Sequence, residues 1–404
     1  MFYQAYELGR IAAAPLRVAA GVQGMWLRHP LNPLAYTPAG HNMATACDVV
    51  QNLTGPWRKP AFGLDRTVCD GQEIPVREAD VRTRPFGQLK HFMRAQQQRE
   101  DPRLLLVAPL AGHFATLLRD TVQALLPAHD VYVTDWFDAR LVPQAAGRFG
   151  LDDCIDYIID FLDFLGAGTH VVAVCQATVP VLAAAAIMAE DDNPAVPRSL
   201  AFMGGPIDAR INPTIPSRLA TAHDLDWFRR HMIATVPTPY PGAGRRVHPG
   251  FVRRCLGLNP VRFAALCWDA WQPAMAGDGA AVRRQARFFD EYFALMDLPA
   301  TFFLQTMQRV FQQFQLPRGR FTWHGRPIEP AAIRDTALLT IEAGDDDVCG
   351  PGQTAAAHQL CSSVARSRRQ HHLQHGANHY DLFNGPCWRH EIAPRLQGFI
   401  REFQ

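Results

Sequence analysis

Cys175 stands in the frame A-V-C-Q-A, at the end of the apolar run Thr169–Cys175 and just before the Ala-rich stretch Val179–Glu190. A nucleophile on a sharp strand-to-helix turn projects above its sheet, and the backbone N–H of the next residue, here Gln176, is placed to donate to an oxyanion. Such a turn needs small residues two positions before and after the nucleophile. Glycine is usual there, and this chain supplies Ala173 and Ala177. Three carboxylates, Asp345, Asp346 and Asp347, follow the apolar run Ala337–Gly344. Asp346, two residues before Val348, best fits a D-x-[IV] pattern, with Asp345 and Asp347 as alternatives. His379 lies in G-A-N-H-Y-D-L-F, shortly before a C-terminal helical stretch, with His371, His372 and His375 as competitors. Each of the three also has an ordinary reading: a buried thiol, a solvated acidic turn, an exposed loop histidine. Their chain order, however, is nucleophile, acid, base. The chemistry that order allows is removal of the thiol proton by His379, orientation of the imidazole by Asp346, and thiolate attack on a carbonyl to give an acyl-thioester. The loop A-P-L-A-G-H-F, Ala108–Phe114, is where a second oxyanion donor belongs, at Leu110 or Ala111; His113 either lines the site or is structural.

For these residues to meet, the chain must carry them on the ends of parallel strands. Arg103–Pro109, His129–Trp136, Thr169–Cys175 and Ser199–Pro206 read as buried strands. The stretches Phe114–Leu126, Leu151–Leu165 and Val179–Glu190 between them read as helices, an alternation that implies a parallel α/β sheet with right-handed crossovers. It stops at residues 207–330, which hold P-T-P-Y-P-G-A-G, amphipathic helical patterns and many aromatics; the strand signal then returns at Ala337–Gly344, with a helix expected at 353–366. The expected organisation is an N-terminal helical extension (1–95), an α/β core (96–206 and 331–404) and a lid inserted at 207–330. Residues 1–95 read as helices and irregular connections; apolar residues recur at helical spacing from Ile11 to Leu27 and are interrupted at Pro30 and Pro33. No internal repeat or low-complexity tract stands out.

Forty basic and thirty-eight acidic residues leave a formal charge of +2, too little for the basic field that nucleic acid demands. Lys59 and Lys90 are the only lysines, and the rest of the positive charge is arginine. A hydrophobic content of 48% against 19% charged residues argues for a folded chain. Nine cysteines are scattered singly without a C-x-x-C pair, which speaks against a disulfide framework or a zinc site and for a reducing compartment. Glu7 and the lack of a basic-then-apolar start make a signal peptide unexpected, and no run of eighteen apolar residues suggests a transmembrane helix. The expected location is cytoplasmic.

Several long segments carry a family resemblance. They include L-L-L-V-A-P-L-A-G-H-F-A-T-L-L-R-D-T-V, Y-V-T-D-W-F-D-A-R-L-V-P, A-V-C-Q, F-M-G-G-P-I-D-A-R-I-N-P-T, Y-P-G-A-G-R-R-V-H-P-G-F and F-F-D-E-Y-F-A-L-M-D-L-P, together with the N-terminal M-F-Y-Q, H-P-L-N-P-L and K-P-A-F. Over nearly its whole length the chain resembles the intracellular poly(3-hydroxybutyrate) depolymerases. The resemblance implies an α/β-hydrolase fold, a Cys-His-Asp triad at Cys175, Asp346 and His379, and action on amorphous polyester granules inside bacteria, with no cofactor or metal. The family often has proline two residues after the cysteine, where this chain has Ala177. A water-insoluble polymer also requires an apolar contact face, for which the N-terminal helix and the lid aromatics Trp227, Tyr240, Trp268 and Trp271 are candidates, although core packing is the commoner role of such residues. The nearest rival is a polyhydroxyalkanoate synthase, whose elbow is G-x-C-x-G where this chain has A-x-C-x-A; a cysteine-dependent small-lactone hydrolase and a non-catalytic granule-coat protein are further alternatives. The sequence leaves a homo-oligomer open.

Overall fold

The computed structural model describes residues 2–54, 59–95, 101–250, 291 and 294–404. The apolar runs form the strands expected of them: β4 Arg103–Val107, β5 Asp130–Trp136, β6 His170–Val174, β7 Ser199–Met203 and β13 Ala337–Ala343. Apart from the first residues of β4 and β5 and Tyr132, every residue of these strands is buried. Burial on both faces is what a continuous Val/Ile/Leu run without polar alternation requires. The nine-stranded sheet has the order β1 (Arg66–Cys69), β2 (Gln72–Arg84), β3 (Gly87–Arg94), β5, β4, β6, β7, β13, β14 (Arg369–Gln374) and is parallel from β5 onward.

Helices cover both faces. α5, Leu151–Leu165, buries Leu151, Ile155, Ile158, Leu162 and Leu165 along one stripe and packs against α6, Thr178–Glu190. Each such aliphatic residue contributes about 1.5–3 kcal/mol by leaving water. α4, Arg119–Leu125, packs with the final helix Ala393–Glu402.

Two expectations are corrected, and one strand is additional. Residues 66–95 are not helical or irregular: β1 Arg66–Cys69, β2 Gln72–Arg84 and β3 Gly87–Arg94 extend the sheet antiparallel from β5. Charged, half-exposed side chains along β2 dilute the alternation that marks a strand. A further strand, β14 Arg369–Gln374, pairs with β13 at the far edge; its sequence R-Q-H-H-L-Q is too polar to signal burial, as an edge strand allows. The helix expected at 353–366 shrinks to Ala357–Leu360 because the buried Glu342 carboxylate draws in the N–H groups of Gly352, Thr354 and Ala355.

Within residues 207–330, α7 Ile215–Ala222 and α8 Leu225–His231 precede a small sheet of β8 Ala234–Thr235, β9 Arg246–His248 and β10 Leu298–Pro299; β11 Thr322–Trp323 and β12 Arg326–Pro327 form a separate hairpin. The end of this segment is joined to the core, with Met296 N–H donating to the Gly112 carbonyl at 2.7 Å and Leu151 N–H to Gln305 Oε1 at 2.7 Å.

The N-terminal helices are α1 Phe2–Ala12, α2 Ala14–Leu27 and α3 Pro38–Thr54. α2 and α3 pack as a hairpin through the small buried residues Ala20, Gly24 and Ala44. α1 is held by Tyr3, whose hydroxyl donates to Asp297 Oδ2 at 2.6 Å; Asp297 Oδ1 accepts the Gly250 N–H at 2.9 Å. Burial pushes the Asp297 carboxyl up, and the Arg140 charge opposes that. A hydrogen bond to a buried carboxylate is worth about 1.5–3 kcal/mol. Tyr3→Phe is therefore expected to speed amide exchange across residues 2–12 roughly 10- to 100-fold while barely moving the global unfolding transition. Unchanged exchange there would show that the helix is held by other contacts.

Candidate active site

Val174 ends β6 in extended conformation, and Cys175 then takes φ +55° before the chain enters the turn Cys175–Ala177 that leads into α6. A non-glycine residue in this left-handed region costs about 1–2 kcal/mol and signals a functional constraint. Ala173 and Ala177, the small flanking residues, are both buried. The turn is fixed by the Thr178 hydroxyl donating to the Cys175 carbonyl at 2.9 Å. Thr178 in turn lies against Gly205, where a Cβ would collide with its side chain.

Of the three candidate acids, Asp346 is buried while Asp345 and Asp347 are exposed. Its Oδ1 accepts the N–H groups of Val348 and Cys349, each at 2.8 Å, and its Oδ2 faces His379 Nδ1 at 2.8 Å. His379 is buried too, on a turn whose ends cap one another: Asn378 Oδ1 accepts from Tyr380 N–H, and Asp381 Oδ2 accepts from Asn378 N–H. With Nδ1 committed to Asp346, Nε2 is left for Cys175, with which the imidazole interacts. Burial alone would lower the His379 pKa; the electrostatic interaction with Cys175 and the hydrogen bond to Asp346 outweigh it and raise the pKa to about 10. An imidazole this basic can take and hold the thiol proton. The competing histidines are engaged elsewhere or exposed: His371 Nδ1 meets Thr340 Oγ1, His372 Nε2 meets Gln374 Oε1, and His375 is exposed.

Beside the nucleophile, the Gln176 N–H belongs to the first turn before α6, where N–H groups have no partner within the helix. Leu110 N–H, the second oxyanion donor expected, is instead bonded to a side chain: it donates to Gln176 Oε1 at 3.2 Å. His113 stands at the end of this loop, its ring edge-on to Tyr380 with centroids 6.3 Å apart. Trp227 on α8 stacks on His223 and on His231, and the Tyr240 hydroxyl donates to Glu7 Oε1 at 2.7 Å. Trp268 and Trp271 lie outside the described residues.

Two contributors were not singled out from the sequence. Gly204, at φ +57°, lies under the His379 ring, where a Cβ would come within 3.1 Å of Cε1. Glu342 anchors the turn that follows the Asp346 loop through its three backbone hydrogen bonds. The paired glycines of F-M-G-G-P were a usable signal for the first; nothing local marks the second.

The raised His379 pKa has a definite sign. A cationic group whose folded pKa exceeds its unfolded value of about 6.5 stabilises the fold fully below that value, and the contribution is lost as pH rises through about 10. In an NMR titration the His379 ring is expected to remain charged through neutral pH, and Cys175→Ala to move its midpoint downward. A midpoint unaffected by that substitution would remove Cys175 as the source of the shift.

Residues 204–404 match the family model described as PHB de-polymerase C-terminus. No curated protein matches the chain. Among solved structures, a putative lipase from Acinetobacter baumannii AYE is 11% identical, covering 82% of this chain and 93% of its own at TM-score 0.43. A monoacylglycerol lipase from Paleococcus ferrophilus is 11% identical, covering 81% and 99% at TM-score 0.47. An epoxide hydrolase from Bacillus megaterium is 12% identical, covering 83% and 99% at TM-score 0.45. These likenesses add nothing to what the strand order already establishes. The matched half carries Gly204, Asp346 and His379, and the chain belongs to the PHB de-polymerase family, carboxylic ester hydrolases of the α/β-hydrolase fold.

Proposed function

We propose that the protein hydrolyses amorphous poly(3-hydroxybutyrate) granules inside the cell, through Cys175 as nucleophile, His379 as base and Asp346 as the acid that orients it. The observation that carries this reading is the left-handed backbone of Cys175 at the end of β6, beside a buried His379–Asp346 pair. His379 accepts the thiol proton, and the thiolate attacks the ester carbonyl. The negative charge that develops on the carbonyl oxygen is met by the backbone N–H of Gln176. Collapse expels the alcohol end of the polymer, protonated by His379, and leaves an acyl-thioester. Water, deprotonated by His379, then releases the hydroxy acid and restores the thiol.

An insoluble polymer must be met by an apolar face. Among the described residues, eleven of the fifteen exposed large hydrophobics fall between Leu8 and Met43, including Val22, Met25 and Trp26 on α2. We assign this hairpin to the granule surface; residues 207–330 serve in the same reading as the lid. No helix among the described residues is long and apolar enough to cross a membrane.

With native amorphous granules, wild-type protein is expected to release soluble 3-hydroxybutyrate and its oligomers. Cys175→Ala should keep granule binding and lose release by at least about 10³-fold. Binding without release by the wild type would favour a coat protein instead. Burying Val22 and Met25 at a surface is worth about 1.5–3 kcal/mol each. Val22→Glu combined with Met25→Glu should thus cut granule hydrolysis about tenfold or more while leaving hydrolysis of a soluble ester within about twofold. Equal losses on both substrates would refute the surface role.

A further inference from the structure

The side chain of Gln176 is only 8% exposed and lies between the nucleophile and the loop after β4. That loop is tethered at both ends. On one side Ala108 N–H donates to Thr134 Oγ1 at 2.9 Å and Trp136 Nε1 donates to the Ala108 carbonyl at 2.8 Å; on the other, Gly112 accepts from Met296 N–H at 2.7 Å. Leu110 N–H is consequently held where it is, and its partner is Gln176 Oε1 at 3.2 Å. Because an N–H can face only an acceptor, this contact also fixes which way the carboxamide is turned. Nε2 points away from Leu110, and among the described residues it has no hydrogen-bond partner. A buried amide nitrogen without a partner costs about 1–3 kcal/mol, a cost relieved when an acceptor arrives.

We propose that the Gln176 carboxamide is itself an oxyanion donor: Oε1 anchors on Leu110 N–H, and Nε2 donates to the carbonyl oxygen of the bound ester alongside the Gln176 backbone N–H. This rests on the reading of Cys175 as nucleophile. It accounts together for the consumed Leu110 N–H, the orientation of the carboxamide and the partnerless nitrogen. In the tetrahedral intermediate the former carbonyl oxygen carries the electron pair displaced by the thiolate, and two N–H groups from one residue converge on it; no proton is transferred to or from Gln176.

The test compares Gln176→Leu with Gln176→Glu on a soluble probe, p-nitrophenyl butyrate, with Cys175→Ala alongside. Leucine removes both anchor and donor, whereas ionised glutamate keeps the acceptor for Leu110 and replaces the donor with a negative charge. The expected result for Gln176→Leu is a kcat about 10²-fold lower with KM changed less than about threefold. Gln176→Glu should be slower still. The inhibition constant of a trifluoromethyl ketone, whose adduct with the thiolate carries an oxyanion, should rise in step with the loss in kcat/KM. If Gln176→Glu does not fold, Gln176→Leu read by kcat and by inhibitor affinity carries the test alone. Glutamate matching or exceeding leucine in kcat, or Gln176→Leu within about threefold of wild type, overturns the proposal and leaves Gln176 as an anchor only. Turnover retained by Cys175→Ala would instead overturn the nucleophile assignment on which it rests.

Discussion

The left-handed backbone at Cys175 is the constraint around which the site is arranged. About 1–2 kcal/mol of unfavourable conformation persists only if the surroundings over-determine it. They do so from three sides. β6 is clamped between β4 and β7 in parallel register, and α6 starts immediately after the turn with eleven buried residues. The third side is the Thr178 hydroxyl, which closes the turn onto the Cys175 carbonyl and itself packs on a position that only glycine can fill, Gly205. The strain is thus carried by the best-buried part of the molecule, while Cys175 itself stays partly exposed at the end of its strand.

From that fixed point the other groups follow by close approach. The chain leaving β7 passes beneath His379 as Gly204, with no side chain to push the ring away, and the next residue bonds through both its backbone groups to the Thr354 hydroxyl. Thr354 also donates its N–H to Glu342. One connected set of contacts therefore ties the nucleophile turn, the floor under the base and the segment after the acid loop. Displacing any one of them displaces the rest, which is how three residues far apart in sequence keep a common geometry.

The core of the fold was legible because its strands are buried on both faces, and a parallel sheet writes that directly into apolar runs. α5 was legible to its ends, Leu151 and Leu165, because its stripe is unbroken. β1–β3 and β14 were not: they lie toward the sheet edges, where half-exposed charged or polar residues satisfy the backbone pairing equally well and periodicity carries no signal. At the site, the order of Cys175, Asp346 and His379 could be read from strand ends alone. The choice of Asp346 over Asp345 and Asp347 could only be suggested, because all three share one loop and one chemistry; burial and two backbone hydrogen bonds separate them in space. The Gln176–Leu110 contact was invisible for a different reason. The sequence places two backbone donors at the right loops, but nothing in it says that a side chain will occupy one of them.

Asp346 illustrates how much of the electrostatics is set by the backbone. One carboxylate oxygen is fully used by two N–H groups of its own loop, so the other has a single direction in which to act, toward His379 Nδ1. The backbone donors fix one oxygen of Asp346, and the hydrogen bond from the other, together with the Cys175 sulfur, raises the His379 pKa. The same device recurs at Glu342, whose oxygens accept three N–H groups of the segment that follows. Two buried carboxylates at the end of β13 thus divide the labour: Asp346 is aimed by the N–H groups of its own loop, and Glu342 anchors the turn that follows.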